Sequence, residues 1–389
     1  MPILNRVADL LPDIIAWRHE IHSHPELGFE LPRTSTFVAE RLREFGCDQV
    51  VTAIGKTGVV GVIKGKKAKI DGKPEVIGLR ADMDALPIEE ETDLPYASKN
   101  QGVMHACGHD GHTAMLLGAA RYLTETRNFA GTAIMIFQPA EELGAGAAAM
   151  IEDGLMERFK IEQVFGMHTW PGMPIGAFGT RRGPVMSATD GIKIKIEGRG
   201  GHPGMPHKCI DSILVGAQLV TALQQILAQN VDPFDSAGLS FHYFLSGTPQ
   251  RFIAQRAELL GSMRALTPEA YQLLKKRIGE VVTGIAQMTG AKIDLAFTGG
   301  ELVTFNRAEQ SELAMRAAKD VAGEDNVLET PPILAGEDFC HMANARPGAF
   351  VFCGNGDSAQ LHHPAYNFND EAIPYGTSFW IKLVENTLG

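Results

Sequence analysis

No C-x-x-C pair occurs anywhere in the chain, and its five cysteines (Cys47, Cys107, Cys209, Cys340, Cys353) are odd in number and scattered. A disulfide framework is therefore not indicated, and the pattern fits a reducing compartment. No apolar run approaches the ~20 residues that a membrane span needs. The opening stretch MPILNRVADLLPDIIAWRHE reads as an amphipathic helix, without the basic start and unbroken apolar run of a signal peptide. The expectation is a cytoplasmic protein. Basic charge is also short, with 35 Lys and Arg against 46 Asp and Glu and a net charge of −11, so nucleic acid and anionic membranes are poor partners. No G-x-S-x-G is present, which leaves a serine hydrolase mechanism without support. GAGAAAM lacks the Lys and the spacing of a phosphate-binding loop. There is no internal repeat, charge block or low-complexity tract.

The chain is rich instead in metal-type side chains. Four separated patches offer them: Cys107-Gly108-His109, Glu141-Glu142, His168 and His362-His363. Thiolate, imidazole and carboxylate are the ligands that borderline transition metals take in open catalytic sites. A pair of adjacent acids supplies one carboxylate to bind and another to move a proton, which points to metal-assisted hydrolysis rather than a closed structural site.

At 389 residues the length favours two domains. From about 58 to 183, apolar runs of strand length (GVVGVIKG, EVIGLRAD, GTAIMIFQ, QVFGMHTW) alternate with the helical patterns HTAMLLGAARYLTET and GAAAMIEDGLM. This βαβ logic predicts an α/β domain with a mostly parallel sheet. Near Gly183-Pro184 the character changes. IKIKIEG alternates strictly, a helix spans about Asp211 to Ala228, and GLSFHYFLSG and AELLGSMRAL read as strands. A helix from about Pro268 to Thr289 and the strand AKIDLAF complete a β-α-β-β-α-β unit. The reading is a discontinuous first domain, 1–183 and 301–389, with an α+β domain inserted over 184–300.

Placement strengthens the metal reading. Asp82 and Asp84 follow one strand, Glu141 and Glu142 another, His168 closes a third, and His362 and His363 lie a short loop beyond GAFVFCGNG. Sites in open parallel sheets form beyond the carboxyl ends of the strands. The glycine between Cys107 and His109 lets both turn toward one ion, at the mouth of a helix. His112, one turn on, suits a supporting or a packing role equally well. The dense group His19, His22 and His24 precedes the sheet and is read as structural.

These residues lie in segments that resemble the M20 metallopeptidase family, in particular its amidohydrolase branch of hippurate hydrolases, N-acyl-amino-acid amidohydrolases and auxin-conjugate hydrolases. The stretches are RHEIHSHPELGFE (18–30), RADMDALPIEE (80–90), MHACGHDGHTAMLLGAA (104–120), FQPAEELGAGAAAMIEDG (137–154), FGMHTWPG (165–172), GRGGHPGMPH (198–207), AGEDF (335–339) and LHHPAYNFNDEAIPYG (361–376). The resemblance implies two divalent ions per subunit (Zn, Mn, Co or Ni) held by Cys107, His109, Glu142, His168 and His362, with Glu141 as general base and then general acid. It further implies that the inserted domain is a lid and dimerisation domain, making a homodimer or larger homo-oligomer. In that reading His202 reaches a partner subunit's site to hold the transition-state oxygen, and Arg264 contacts the substrate carboxylate. The expected reaction is cleavage of a small N-acyl amino acid to a carboxylic acid and a free amino acid. A dipeptidase or carboxypeptidase on the same scaffold is the alternative, and a metal-bound protein without catalysis a remoter one. One stretch departs from the branch: GTPQRFIAQRAEL places Arg251 where relatives carry Asn, and Arg there could grip a carboxylate or fill the pocket.

Overall fold

In the computed structural model, which describes residues 4–68 and 75–389, the apolar runs do become strands. The first three residues of the N-terminal helix pattern lie outside the described residues. The chain divides into two compact units. The first comprises Met1–Val185, Phe305–Pro331 and Asp338–Gly389, and the second Met186–Thr304 with Pro332–Glu337.

The first unit begins with helices α1 (Asn5–His22) and α2 (Pro32–Phe45) and strands β1 (Gln49–Ile54), β2 (Gly58–Lys64) and β3 (Val76–Asp82). Then come α3 (His109–Thr126), β4 (Thr132–Gln138), α4 (Gly146–Glu152), α5 (Leu155–Arg158), β5 (Gln163–Trp170), β6 (Phe178–Thr180) and β7 (Gly183–Met186). The second unit carries β8 (Ala188–Glu197), α6 (Ser212–Gln229), β9 (Ala237–Ser246), β10 (Arg256–Ala265), α7 (Pro268–Thr289) and β11 (Lys292–Phe297). The chain ends with β12 (Thr304–Asn306), α8 (Ala308–Ala322), β13 (Val327–Glu329), α9 (Phe339–Ala345), β14 (Gly348–Gly354) and α10 (Ile373–Leu388).

An eight-stranded sheet runs in the order β1-β2-β4-β3-β5-β14-β6-β13. Its centre, β4-β3-β5-β14, is parallel, as expected for runs buried on both faces. The expected mostly parallel sheet carries an antiparallel flank, where β2 pairs antiparallel with both β1 and β4. The physical cause is the tight Gly55-Lys56-Thr57 connection, which closes β1 and β2 as a hairpin too short for a crossover. Helix α2 was also not marked in the sequence, although Pro32 opens it and Gly46, at φ 84°, stops it. Val7, Leu10 and Ile14 of α1, Leu116 and Leu123 of α3, and Phe379 and Leu383 of α10 form one buried cluster with Leu79 and Phe137 of the sheet. Burial of each such side chain contributes about 1.5–3 kcal/mol.

The second unit follows the β-α-β-β-α-β order as a four-stranded antiparallel sheet, β11-β8-β10-β9. Ile192, Ile194 and Ile196 of β8 bury against Leu219 and Leu223 of α6 and Leu274 and Ile278 of α7. Helix Ser212–Gln229 is long and apolar enough to cross a membrane by length and composition. Among its apolar residues, Val215, Leu219, Leu223 and Ile226 are spent on this core. The segment Pro332–Glu337 also belongs to this unit, beyond the 184–300 span of the sequence reading. Ser187 N–H donates to Ile333 O and Ala335 O, and Arg264 Nη1 to Leu334 O at 2.7 Å. Six residues of irregular chain carry no periodicity that could have announced this.

Candidate metal centre

The parallel strands end together, and the chemistry collects at that edge. Asp82 is the last residue of β3, His168 is the third from the end of β5, and Glu141 and Glu142 follow β4 by three and four positions. Gly108 initiates α3 in the left-handed conformation at φ 86°, and a Cβ there would lie 2.7 Å from the Tyr366 hydroxyl. Only glycine permits both the turn and the contact. That turn aims Cys107 and His109 at the same point.

Cys107 Sγ lies 3.3 Å from His168 Nε2. His362 Nε2 is 3.5 Å from Glu142 Oε1, and His109 Nε2 is 3.9 Å from the same oxygen and from Glu141 Oε2. Cys107, His109 and His168 present donor atoms within 4.8 Å of one another, as do Cys107, Glu142 and His362. The structure thus gathers Cys107, His109, Glu141, Glu142, His168 and His362 in the first unit. His363 instead accepts the Ala365 N–H on Nδ1 within its own turn.

The imidazoles are oriented for coordination. His109 Nδ1 donates to the Asp84 carbonyl at 2.8 Å and His168 Nδ1 to the Thr169 carbonyl at 2.6 Å. Each carbonyl can only accept, so Nδ1 carries a proton and Nε2 faces the site, free to offer its lone pair to a cation in the neutral ring. His109 Nε2 and Glu142 Oε1 are buried with no hydrogen-bond partner, which is rare for buried polar atoms and is what a bound cation would satisfy. The charge state argues the same way. Burial would lower the His109 pKa, but Asp82, Asp84 and Glu142 outweigh it and push it up to about 10. Burial and the Glu142 and Glu141 carboxylates raise the Cys107 thiol well above its ordinary value. Burial, with His112 beside it, keeps His168 neutral. The pocket carries excess negative charge, and a divalent ion would replace the proton on His109 and take the thiol as thiolate. One sulfur, three imidazoles and a carboxylate fit a borderline transition metal.

Two further residues support these side chains: Asp84, which the sequence marks only as an acid after a strand, and His112, read there as supporting or packing. Asp84, 1% exposed, accepts the amide N–H of Glu141 at 3.0 Å and of Glu142 at 3.2 Å on its two carboxylate oxygens. It therefore fixes the backbone of both acids and, through its carbonyl, orients His109. The only hint was a second acid at the end of a strand. His112 is fully engaged: Nε2 accepts the Thr169 N–H at 2.9 Å, so Nδ1 carries the proton and donates to Asp82 at 2.7 Å. It is a support for the residue beside His168. Asp82 in turn ion-pairs with buried Arg80, which also reaches Asp338.

The histidine-rich N-terminal segment forms no metal group among the described residues. His22 instead sits between two carboxylates, with Nδ1 2.8 Å from Asp110 and Nε2 3.2 Å from Glu90. Burial opposes the charge, yet Asp110 and Glu90 hold the imidazolium up to about 9.

His202, Arg251 and Arg264 all lie on the second unit. His202 is exposed in the loop between β8 and α6, and its Nδ1 accepts the Gly204 N–H at 3.0 Å. In the neutral ring this leaves Nε2–H as a donor. Arg264 is in β10, and Arg251 is exposed between β9 and β10.

Comparison with known proteins adds four findings. The profile of peptidase family M20/M25/M40 matches residues 78–386. The chain is 42% identical to a hippurate hydrolase of Campylobacter jejuni over 387 residues, 98% of each chain. It is 36% identical to an N-acetylcysteine deacetylase of Bacillus subtilis, covering 95% of both. A crystal structure of a dinuclear metal binding peptidase from the M20 family of Bacillus subtilis superposes with a TM-score of 0.85 at 32% identity, covering 98% of this chain and 99% of that one.

Proposed function

The chain belongs to peptidase family M20/M25/M40 and is a metal-dependent amidohydrolase. From that premise we propose that it cleaves N-acyl amino acids, aromatic acyl groups included, with two divalent ions held by Cys107, His109, Glu142, His168 and His362. The observation that carries this reading is the division of the acid pair. Glu142 groups with Cys107 and His362, whereas Glu141 groups with His109 and Glu142 but with none of Cys107, His168 and His362, which leaves it one carboxylate beyond that donor set. The ions supply positive charge at the scissile carbonyl and acidify the attacking water. Glu141 takes a proton from that water and returns it to the leaving amine nitrogen, base first and acid second. Asp84 holds the Glu141 amide so that its carboxylate is delivered in one place. His202 Nε2–H is assigned to the developing oxyanion in a partner subunit's site, and Arg264 to the substrate carboxylate.

The test is a panel of N-acyl amino acids assayed for amine release, with chelated enzyme reloaded with Zn, Mn, Co or Ni in turn. Chelation is expected to abolish turnover, and one or more metals to restore it on hippurate or N-acetyl substrates. Equal or faster release from unblocked dipeptides would favour a dipeptidase, since a site for blocked substrates makes no pair with a free α-amine. On the same panel Arg251→Asn is expected to shift preference among the amino acid moieties. An unchanged profile would remove Arg251 from the substrate site.

We also infer a homodimer through the second unit. Strand β9 is a sheet edge, and it exposes Tyr243, Phe244 and Leu245 beside Ile213 and Leu214 of α6. A long apolar edge of this kind invites pairing with another copy. Light scattering should give twice the chain mass, and Leu245→Lys with Leu214→Lys should give the single-chain mass. A wild-type monomer at micromolar concentration contradicts the assignment.

A further inference from the structure

Two of the segments that deliver ligands stand more than 250 residues apart in the chain, and one of them has little local means of holding its place. His362 lies in the irregular stretch between β14 and α10, at φ 63°, with its side chain 53% exposed. Its position relative to Cys107 and His109 must come from contacts across the fold. One is the His362 N–H donating to Ala106 O at 2.8 Å. The Tyr366 hydroxyl and the Phe368 ring close on Gly108 and Gly111, where a Cβ would meet them at 2.7 and 2.0 Å. The Glu91 N–H also donates to Pro364 O at 2.9 Å, and His19 Nε2 lies 2.8 Å from Asp370. A further contact is a charged bridge.

Arg18 of α1 is wholly buried. Its Nη1 lies 3.0 Å from Asp110, the residue after His109, and its Nε lies 2.6 Å from Asp370, which ends the stretch carrying His362. Its guanidinium also lies 4.5 Å over the Tyr96 ring and 5.5 Å from the centre of the Phe368 ring. Buried ion pairs contribute little net stability over well-packed apolar residues, because desolvation offsets the attraction. A bridge that spans two ligand-bearing segments is therefore better explained by geometry than by stability.

We propose that Arg18 is a positioning residue of the metal centre, setting the spacing between the turn of Cys107 and His109 and the stretch that carries His362. The role needs the guanidinium fork, since a single ammonium reaches one carboxylate well but not both. This inference rests on the assignment of those three side chains as ligands.

The test compares Arg18→Lys with wild type by chelator-competition titration of Zn and Co, by the visible spectrum of the Co-loaded protein, and by thermal unfolding of the metal-free protein. Wild type binding no metal would remove the ligand assignment itself. With wild type loaded, Arg18→Lys is expected to lose metal affinity about 10- to 100-fold, the usual size for a group that orients ligands, and to show an altered Co spectrum. A lowered unfolding temperature with wild-type affinity and spectrum would overturn the proposal and leave a structural ion pair. Asp370→Asn, at a partly exposed position, serves even if Arg18→Lys fails to fold, and should reproduce the affinity loss. The double variant should lose little more than either single one, because both break the same bridge. Additive losses would show that the two act separately.

Discussion

Glu141→Ala is expected to bind metal as wild type does and to lose roughly 10²–10⁴-fold in turnover, the span attributed to a positioned acid–base group. Metal should stay because Cys107 with His109 and His168, and Cys107 with Glu142 and His362, are complete donor groupings without Glu141, which joins only His109 and Glu142 among these side chains. The local backbone should also survive, since Asp84 holds the residue 141 and 142 amides and not the Glu141 side chain. Glu141→Gln separates shape from proton transfer: it keeps the size and polar character but has no group that can take a proton near neutral pH. Both variants should be comparably slow under saturating substrate, with metal content measured in the same samples. Turnover within tenfold of wild type in either would remove Glu141 from the chemistry. Loss of metal in both would instead make it a ligand.

The second large effect is expected at Asp84. Asp84→Ala leaves two part-buried amides without their acceptor, and an orphaned group costs up to about 1–3 kcal/mol where water does not reach it. The unfolding temperature should fall clearly. The loop bearing Glu141 and Glu142 then loses the carboxylate that holds both amides, so metal affinity should drop about 10- to 100-fold and turnover fall further still. Asp84→Asn is the sharper experiment. Its amide oxygen can accept one of the two N–H groups, but its NH2 then faces the other, donor against donor. Asn should therefore resemble Ala in metal affinity and turnover despite its near-identical volume. Chelator competition and steady-state kinetics on the two variants decide the matter. Wild-type affinity and turnover in Asp84→Asn would mean the clamp does not position the acids.

Much of the site was legible because its chemistry is local in sequence. Cys107-Gly108-His109 needs one glycine to make its turn, Glu141-Glu142 needs adjacency, and His168 closes an apolar run whose strand character is plain. The inserted unit was legible for a similar reason. Alternation in β8, at IKIKIEG, and the lengths of α6 and α7 are properties of short windows. What stayed hidden was set by partners far away in the chain. Asp84 looks like any acid after a strand until the amides of residues 141 and 142 are placed over it. His22 has the company of a metal cluster, and only the approach of Asp110 and Glu90 makes it an imidazolium between carboxylates. The antiparallel flank of the large sheet was missed because β2 has the same apolar composition as its parallel neighbours.

The sequence by itself determined which side chains could bind a cation, which could carry a proton, and on which kind of element each would sit, because composition and periodicity act over a few residues. Tertiary structure alone decided how those groups are aimed: which imidazole nitrogen faces inward, which carboxylate grips backbone, and what ties His362 to a turn more than 250 positions earlier. Hydrogen-bond direction and buried charge pairing depend on distances of about 3 Å between segments that sequence spacing does not encode.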